Sequence, residues 1–387
     1  MFNLTTLPPL SLYIHIPWCV KKCPYCDFNS HKSPEVLPEN DYIDALIRDL
    51  EQEVPNIWGR TIKTVFIGGG TPSLFSAKAY DRLFSSLRAL LPISHNAEIT
   101  LEANPGTFEQ ERFADYLSLG INRLSIGIQS FNNDSLQALG RIHDGQQAIR
   151  AVETAQKVGF ENFNLDLMFG LPHQTEKTAR EDIETALALE PAHLSYYQLT
   201  IEPNTLFHKR PPTLPDDDPI FDWQIDSQHR LSKAGYTQYE VSAYAKNKRQ
   251  CQHNVNYWQF GDYLGIGAGA HGKISDAAKQ SITRRSKQKQ PQAYIDLAGT
   301  EASILTNEII TTRDIGFEFM LNALRLTDGF PTPLFYQHVG LPISHIDKAL
   351  QKAEQQELVT WDIHRICPTE KGQRYLNSLI ELFLPDS

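Results

Sequence analysis

Residues 11–26 of the chain read SLYIHIPWCVKKCPYC, an apolar run followed closely by three cysteines, Cys19, Cys23 and Cys26. The apolar run is typical of a buried β-strand, so the cysteines fall on the loop after the strand. The chain has 5 cysteines in 387 residues. A disulfide framework would need an even number spread along a short secreted chain. The triplet therefore indicates a metal or cluster site.

Further apolar, β-branched runs follow, with helical patterns between them. Together they predict six strands, at residues 11–16, 63–68, 98–103, 123–129, 162–168 and 193–201. Asp144 is expected to cap one of the helices and Gly159 to end it, and Thr107 with Gln110 suggests a capping box for another. Alternating strands and helices indicate parallel βα units. The pattern fits an open doubly wound sheet or a partial barrel, and in both cases ligands bind at the carboxyl ends of the strands.

The chain beyond these units changes character twice. A Pro- and Asp-rich segment at 210–219 ends the βα core, which we place at residues 1–210. An extension with a Gly-rich loop at 261–272 follows, over residues 211–306. In residues 307–387 a helix, two short strands and a helix predict a small winged-helix-like domain.

Charge and hydropathy limit the classes of function. Lys and Arg total 36 and Asp and Glu total 46, a formal net charge of −10, so we expect no nucleic-acid binding. No run of about 18 apolar residues is present, so we expect no transmembrane segment. Residues 1–10 lack the pattern of a secretory signal. We therefore expect a cytoplasmic protein and leave weak membrane association open.

The cysteine spacing suits iron–sulfur ligation. Three thiolates can hold three irons of a [4Fe–4S] cluster and leave the fourth iron open to a small molecule. A structural zinc site needs four protein ligands, and His15 or His31 could supply the fourth. Zinc therefore stays an alternative.

Motifs at successive strand ends carry a resemblance to a known family. They are Cys-x3-Cys-x2-Cys with Tyr25 before its last cysteine, GGGTP at 68–72, EANPG at 102–106, QSF at 129–131, GRIH at 140–143, and Asp166 before GLP at 170–172. This set resembles the radical S-adenosylmethionine (SAM) superfamily. Within that superfamily it is similar to the coproporphyrinogen dehydrogenase branch, and most of all to HemW-type haem chaperones. The resemblance covers nearly the whole chain and implies an α/β fold, a partial (β/α)6 radical-SAM barrel with a C-terminal extension.

The resemblance implies that Cys19, Cys23 and Cys26 hold a [4Fe–4S] cluster whose open iron is chelated by the amino and carboxylate groups of SAM. It implies cofactor contacts from Tyr13, Tyr25, Gly69, Gly70, Thr71, Glu102, Gln129, Arg141 and Asp166. Glycine allows close backbone approach. A carboxylate such as Glu102 accepts hydrogen bonds from ribose hydroxyls, and the fork of Arg141 suits a carboxylate.

Two departures separate the chain from true coproporphyrinogen dehydrogenases. Those enzymes carry a further cysteine where this chain has Phe28, and a longer arm where only 18 residues precede Cys19, of which the first ten look like a tail. The motif HNVNYW at 253–258 resembles one associated with haem in HemW-type proteins. It implies His253 as an axial haem ligand, with Cys251 as a secondary candidate. The residues alone also allow a packed loop histidine.

We therefore expect a haem chaperone that binds haem and delivers it to apo-haemoproteins, and we leave a homodimer open. Basic runs at 246–249 and 284–287 could meet haem propionates. One alternative is an oxygen-independent coproporphyrinogen III dehydrogenase-like oxidoreductase, although we expect that activity to be absent. The other alternative is a non-catalytic zinc protein.

Overall fold

A computed structural model describes residues 2–106 and 110–385 of the protein. Thr107, expected in a capping box, lies outside the described residues. The strands of the described chain are β1 (Leu10–Ile16), β2 (Trp18–Cys19), β3 (His31–Lys32), β4 (Ile62–Gly69), β5 (Ile93–Ala103), β6 (Arg123–Gln129), β7 (Phe163–Phe169), β8 (His193–Gln198), β9 (Thr237–Glu240), β10 (Ala243–Ala245), β11 (Asp262–Ile266), β12 (His271–Asp276), β13 (Ser281–Lys287), β14 (Ile304–Ile309), β15 (Phe330–Pro331), β16 (Val359–Trp361) and β17 (Arg365–Pro368). All six predicted strands are present, although β5 begins at Ile93 rather than at residue 98.

The helices lie between the strands in the predicted alternation. They are α1 (Glu39–Glu53), α2 (Ala77–Leu90), α3 (Phe113–Ser118), α4 (Asn133–Ala138), α5 (Gly145–Val158), α6 (Glu176–Ala188), α7 (Leu206–Lys209), α8 (Asp217–Lys233), α9 (Gln252–Trp258), α10 (Pro291–Leu297), α11 (Ile315–Ala323), α12 (Pro333–Val339), α13 (Asp347–Gln355), α14 (Glu370–Arg374) and α15 (Leu376–Glu381). The predicted limits of α5 are confirmed. Asp144 forms a capping box with Gln147, and Gly159 ends the helix in the left-handed conformation that glycine adopts without strain.

Seven parallel strands form the centre of a sheet in the order β11-β1-β4-β5-β6-β7-β8. The strands β12 to β14 extend one edge of this sheet and β10 and β9 extend the other. Six of the parallel strands were predicted. The seventh, β11, lies in the segment that was predicted to be a Gly-rich loop. Glycine is needed there because a Cβ on Gly265 would lie 1.9 Å from the carbonyl oxygen of His271.

The main hydrophobic core lies between this sheet and its helices. Leu12, Ile14 and Ile16 of β1 are fully buried, as expected for a parallel strand covered on both faces. Because the strands are parallel, their carboxyl ends meet at one edge of the sheet, and the cysteine triplet follows β1 at that edge. This arrangement is the α/β architecture that was predicted as a partial (β/α)6 barrel.

A second hydrophobic core holds the C-terminal region. It is built on α11 to α13 and a three-stranded sheet in the order β15-β17-β16, and its resemblance to a winged helix stays a prediction. Phe319 packs edge-on against Phe330 and Phe335, with ring centroids 5.3 and 5.1 Å apart. Phe2 and Leu4, in the stretch expected to be a tail, are buried in this core. No helix of the described chain has the length and apolar character needed to cross a membrane.

Candidate functional site

The three cysteines share one short loop at the edge where the parallel strands end. Cys19 lies in β2, which pairs with β3 and closes the loop, and the backbone N–H of Cys26 donates to the carbonyl of Cys23 at 3.2 Å. All three side chains are partly exposed, and none of them forms a disulfide bond. Burial raises the pKa of the Cys19 and Cys26 thiols; Cys26 and Cys23 raise that of Cys19 further, and Cys23 raises that of Cys26. The fold therefore brings the three thiols together on one loop.

The alternative zinc site finds less support. Both ring nitrogens of His15 are hydrogen-bonded, to the hydroxyl of Tyr13 at 2.9 Å and to the carbonyl oxygen of Asn29 at 2.8 Å. Within the described residues, no three His, Cys, Asp or Glu side chains converge tightly enough for a single metal ion. A cubane cluster places its thiolates on separate irons and so needs them further apart than one ion does.

Arg141 provides a test of whether the loop fits an anionic cluster and a carboxylate. Its Nη1 donates to the Sγ atom of Cys23 at 3.4 Å, and its Nη2 donates at 2.7 Å to Asn104 Oδ1 and to the carbonyl of Gly127. Its Nε is buried and has no hydrogen-bond partner in the described chain. Burial alone would lower the pKa of Arg141, but Tyr25 and Cys23 outweigh it, so the group stays charged. A charged guanidinium with an unused buried donor suits an anionic ligand beside Cys23.

The glycine turn after β4 lies against the cluster loop. The backbone N–H groups of Gly70 and Thr71 donate to carbonyls before the triplet, at 2.7 Å each. A Cβ on Gly70 would lie 2.5 Å from the carbonyl oxygen of Trp18, and Gly69 has φ +112°. The Thr71 hydroxyl accepts from Asn104 Nδ2 at 2.9 Å. Glycine is thus required for this close approach, and the turn is fixed to the loop that holds the triplet.

Glu102 and Asp166 are two acids in the same interior. Glu102 Oε2 accepts from the backbone N–H of Gly69 at 3.0 Å. Burial, followed by the charge of Asp166, raises the pKa of Glu102 to about 8. Burial also raises the pKa of Asp166, although Asn164 and Ser125 donate to its oxygens at 2.8 and 3.1 Å. Because burial makes these two carboxyls costly to ionise, the site favours a ligand that brings hydroxyl donors or positive charge.

Gln129 ends β6 in a backbone conformation that non-glycine residues rarely adopt, with φ +72°. Its Oε1 accepts from the hydroxyl of Tyr197 at 2.8 Å. Such a conformation costs energy and persists where the surroundings fix it.

The predicted cofactor contact Tyr25 packs against Phe207, with ring centroids 6.3 Å apart.

A cavity of about 830 Å³ opens beside the cluster loop, within the range of small-molecule sites. Of the predicted site residues, it brings together Tyr13, Cys26, Gly69 and Glu102. A smaller cavity of about 30 Å³ is lined by Cys23, Thr71 and Arg141. The opposite wall of the large cavity comes from the extension, through Tyr257, Trp258, Tyr263 and His271. Neither lining includes Cys19, Tyr25, Gly70, Gln129, Asp166 or His253.

His253, the predicted haem ligand, is 1% exposed. Its Nδ1 is hydrogen-bonded to the hydroxyl of Thr64 and its Nε2 to the hydroxyl of Tyr257, both at 2.8 Å. Burial, followed by the charge of Arg123, lowers the pKa of His253 to about 3. In this conformation both ring nitrogens are used internally, so ligation of haem iron by His253 stays a prediction. Cys251 is also buried, and burial raises the pKa of its thiol to about 12.

The basic run at 284–287 is committed to ion pairs inside the protein. Arg284 pairs with Glu318, and Arg285 pairs with Glu53 at 2.9 Å. Lys287 is buried and pairs with Asp49 and Glu53, at 2.6 and 2.7 Å.

Sequence reasoning did not identify Asn104 and Asn29 as site residues. Asn104 joins Arg141 to Thr71, and its signal was its position in the EANPG motif. Asn29 donates to the carbonyls of Ala268 and Lys289 at 2.8 and 2.9 Å, and so ties the cluster loop to the extension. Sequence spacing gave no sign of that contact, because it joins residues about 240 positions apart.

Comparisons with known proteins agree with the geometry. The model of the Radical SAM superfamily matches residues 13–186, and that of the HemN C-terminal domain matches residues 310–375. The protein named Heme chaperone HemW in Escherichia coli (strain K12) is 49% identical over 388 residues, covering 99% of this chain and 100% of that protein. Heme chaperone HemW of Haemophilus influenzae is 49% identical over 384 residues, covering 98% and 99%. The chain belongs to the HemW family.

The predicted family is therefore confirmed. The solved structure of coproporphyrinogen III oxidase (HemN) from Escherichia coli, described as a radical SAM enzyme, has a TM-score of 0.82 to this chain. It is 24% identical, with 97% of this chain and 90% of that chain covered, and supports the fold. Membership of the radical SAM superfamily implies a [4Fe–4S] cluster and SAM as cofactors, as predicted. The role of each residue toward them stays a prediction.

Proposed function

We propose that the protein binds haem and delivers it to apo-haemoproteins, on a radical-SAM scaffold that holds a [4Fe–4S] cluster and SAM. The full-length likeness to proteins named haem chaperones carries this proposal. The cavity of about 830 Å³ supports it, because one wall presents the predicted SAM contacts and the other presents aromatic side chains. Aromatic rings stack favourably on a macrocycle.

In this proposal the residues at the strand ends hold the two cofactors. Cys19, Cys23 and Cys26 bind three irons, and Arg141 neutralises negative charge beside Cys23. Glu102 receives the ribose hydroxyls of SAM. When bound, the cluster and SAM supply one-electron chemistry. The protein's own part is to place the ligands and to hold a proton on Glu102 until SAM arrives.

The test uses one anaerobic, cluster-reconstituted preparation of the full chain. Haem is titrated into it, and the haem-loaded protein is then mixed with apomyoglobin as a generic acceptor. We expect saturable haem binding and faster formation of holo-myoglobin than from free haem. A preparation that binds no haem, or that holds haem without releasing it to an acceptor, would contradict the proposal.

The same preparation is assayed with coproporphyrinogen III, SAM and a reductant. We expect no protoporphyrinogen IX, because Phe28 occupies the position of the additional cysteine and is 59% exposed. Turnover in this assay would favour the oxidoreductase instead. The Cys23→Ser variant is the matched control, since it removes one thiolate of the triplet and leaves the cavity wall from the extension intact.

We further propose a cytoplasmic place of action. A homodimer and weak membrane association are tested on the same material. Light scattering gives the mass with and without the cluster, and flotation with anionic vesicles gives membrane binding. We expect flotation to be weak, because the chain carries a net charge of −10.

A further inference from the structure

Histidines around the large cavity differ in whether a ring nitrogen is available to a ligand. His15 has both nitrogens hydrogen-bonded, as described above, and so does His253. His31 lines the cavity, but its Nε2 lies 3.3 Å from Asn29 Oδ1, and the ring also meets the backbone of Lys289. The imidazoles of these three residues are engaged in hydrogen bonds within the protein.

His271 is different. It is the first residue of β12, lines the cavity and is exposed. In the part of the chain that the structure describes, its imidazole has no hydrogen-bond partner. Partial desolvation, followed by the charges of Lys289 and Arg284, lowers the pKa of His271 and so favours the neutral ring. Neutral imidazole is the form that binds haem iron.

The surroundings of His271 match the rest of a haem. The rings of Tyr257 and Tyr263 meet edge-on, with centroids 4.5 Å apart, in the same wall of the cavity. Lys289 is exposed and Lys22 bonds only to the carbonyls of residues 28 and 30, so neither lysine has a carboxylate partner among the described residues. A haem presents an apolar ring, an iron and two propionates. The two tyrosines can contact the ring, His271 the iron, and the two lysines the propionates.

We propose that His271 is the protein ligand of the haem iron in this cavity, with Lys22 and Lys289 facing the propionates. This inference rests on the proposed function and names the ligand within it. His253 then acts as a positioning residue, because its hydrogen bond to the Tyr257 hydroxyl fixes the aromatic wall.

The test titrates ferric haem into the full-length, cluster-reconstituted protein and into its His271→Ala variant. Haem is followed by low-temperature electron paramagnetic resonance, because the oxidised [4Fe–4S] cluster is diamagnetic and leaves the haem signal clear. We expect the His271→Ala variant to bind haem about 10- to 100-fold more weakly, as losses around a metal site commonly do, and to change the ferric signal. Added imidazole should restore the wild-type signal. His31→Ala is the matched control and should keep it.

The outcomes separate the inference from the proposed function. Wild-type protein that binds no haem overturns both. Wild-type binding with an unchanged signal and affinity in His271→Ala overturns the ligand assignment and leaves the chaperone proposal standing. Unchanged SAM binding by the variant shows that its fold is intact. Lys289→Gln tests the propionate contact: it should reduce the preference for haem over haem dimethyl ester, and an unchanged preference removes Lys289 from the site.

Discussion

The raised pKa of Glu102 predicts that SAM binding depends on pH. In the free protein the carboxyl is protonated up to about pH 8, because burial and then the charge of Asp166 oppose its ionisation. The ligand brings a positive sulfonium and ribose hydroxyl donors, and both favour the ionised carboxylate. Binding below pH 8 must therefore release the proton of Glu102, and SAM affinity should rise with pH until about 8.

The size of the effect follows from linkage. While Glu102 is protonated in the free protein and ionised in the complex, affinity changes about tenfold per pH unit, or ~1.36 kcal/mol. Between pH 6 and pH 8 this predicts about 50-fold, or ~2.3 kcal/mol, because the slope flattens as Glu102 reaches half ionisation at about pH 8. In the proposed binding mode the amino group of SAM coordinates iron, so loss of its proton adds a second contribution to the absolute slope. The difference in slope between wild type and Glu102→Gln isolates the carboxyl.

The assay is isothermal titration of SAM into anaerobic, cluster-loaded protein from pH 6 to pH 9, in two buffers with different ionisation enthalpies. Wild type should release about one proton more per SAM than Glu102→Gln near pH 7. The variant should bind more weakly at pH 8 and show a flatter dependence. Its apo form should be no less stable than wild type at pH 8, since it lacks a carboxyl that is costly to ionise. Equal slopes for the two proteins would refute the reasoning.

Further predictions concern the supports of the site. Lys287→Met removes the cation paired with the buried carboxylate of Asp49 and leaves Glu53 with Arg285 as its cationic partner, and it should lower the unfolding free energy by about 3–5 kcal/mol in urea melts. The loss should be larger at pH 8 than at pH 5, because protonation of Asp49, whose pKa burial raises, removes its uncompensated charge. The exposed ion pair lost in Lys279→Met should cost at most about 1 kcal/mol, and equal losses in the two variants would be contrary evidence. Arg141→Gln should weaken SAM binding about 10- to 100-fold by titration, with partial recovery in Arg141→Lys; full affinity in the Gln variant would exclude the carboxylate contact. Tyr257→Phe should lower the unfolding free energy by about 1–3 kcal/mol, because it leaves His253 Nε2 unpaired, yet retain the ferric haem signal; loss of that signal with an intact fold would point to His253 as the ligand.

The parallel core was predictable because its strands are continuous apolar runs, the pattern that burial on both faces requires. The strand β11 was not, because Gly265 and its neighbours interrupt that pattern. Glycine stands there for close backbone approach to His271, and a local reading takes such a segment for a loop. Periodicity reports which side chains are apolar, and it cannot report which backbone segments must nearly touch.

The candidate site divides in the same way. Cys26, Gly69 and Glu102 could be placed together from sequence, because parallel strands end at one edge. The orientation of His253 could not, because it depends on Thr64, a residue of β4 distant in sequence. Motif resemblance identified the helix that matters, but only tertiary contacts decide which of its side chains faces the cavity.

The extension completes the site as well as covering it. Asp49 accepts a hydrogen bond from the backbone N–H of Gly267 at 3.2 Å, while Lys287 neutralises the same carboxylate. Two residues further along the chain, a Cβ on Gly269 would lie 2.3 Å from Asn29 Nδ2, so the loop before His271 and the cysteine loop are packed directly together. Asn29 then bonds to carbonyls on both sides of β12 and β13. The cysteine loop and the wall that bears His271 are therefore one hydrogen-bonded unit, and a displacement of either must be accommodated by the other.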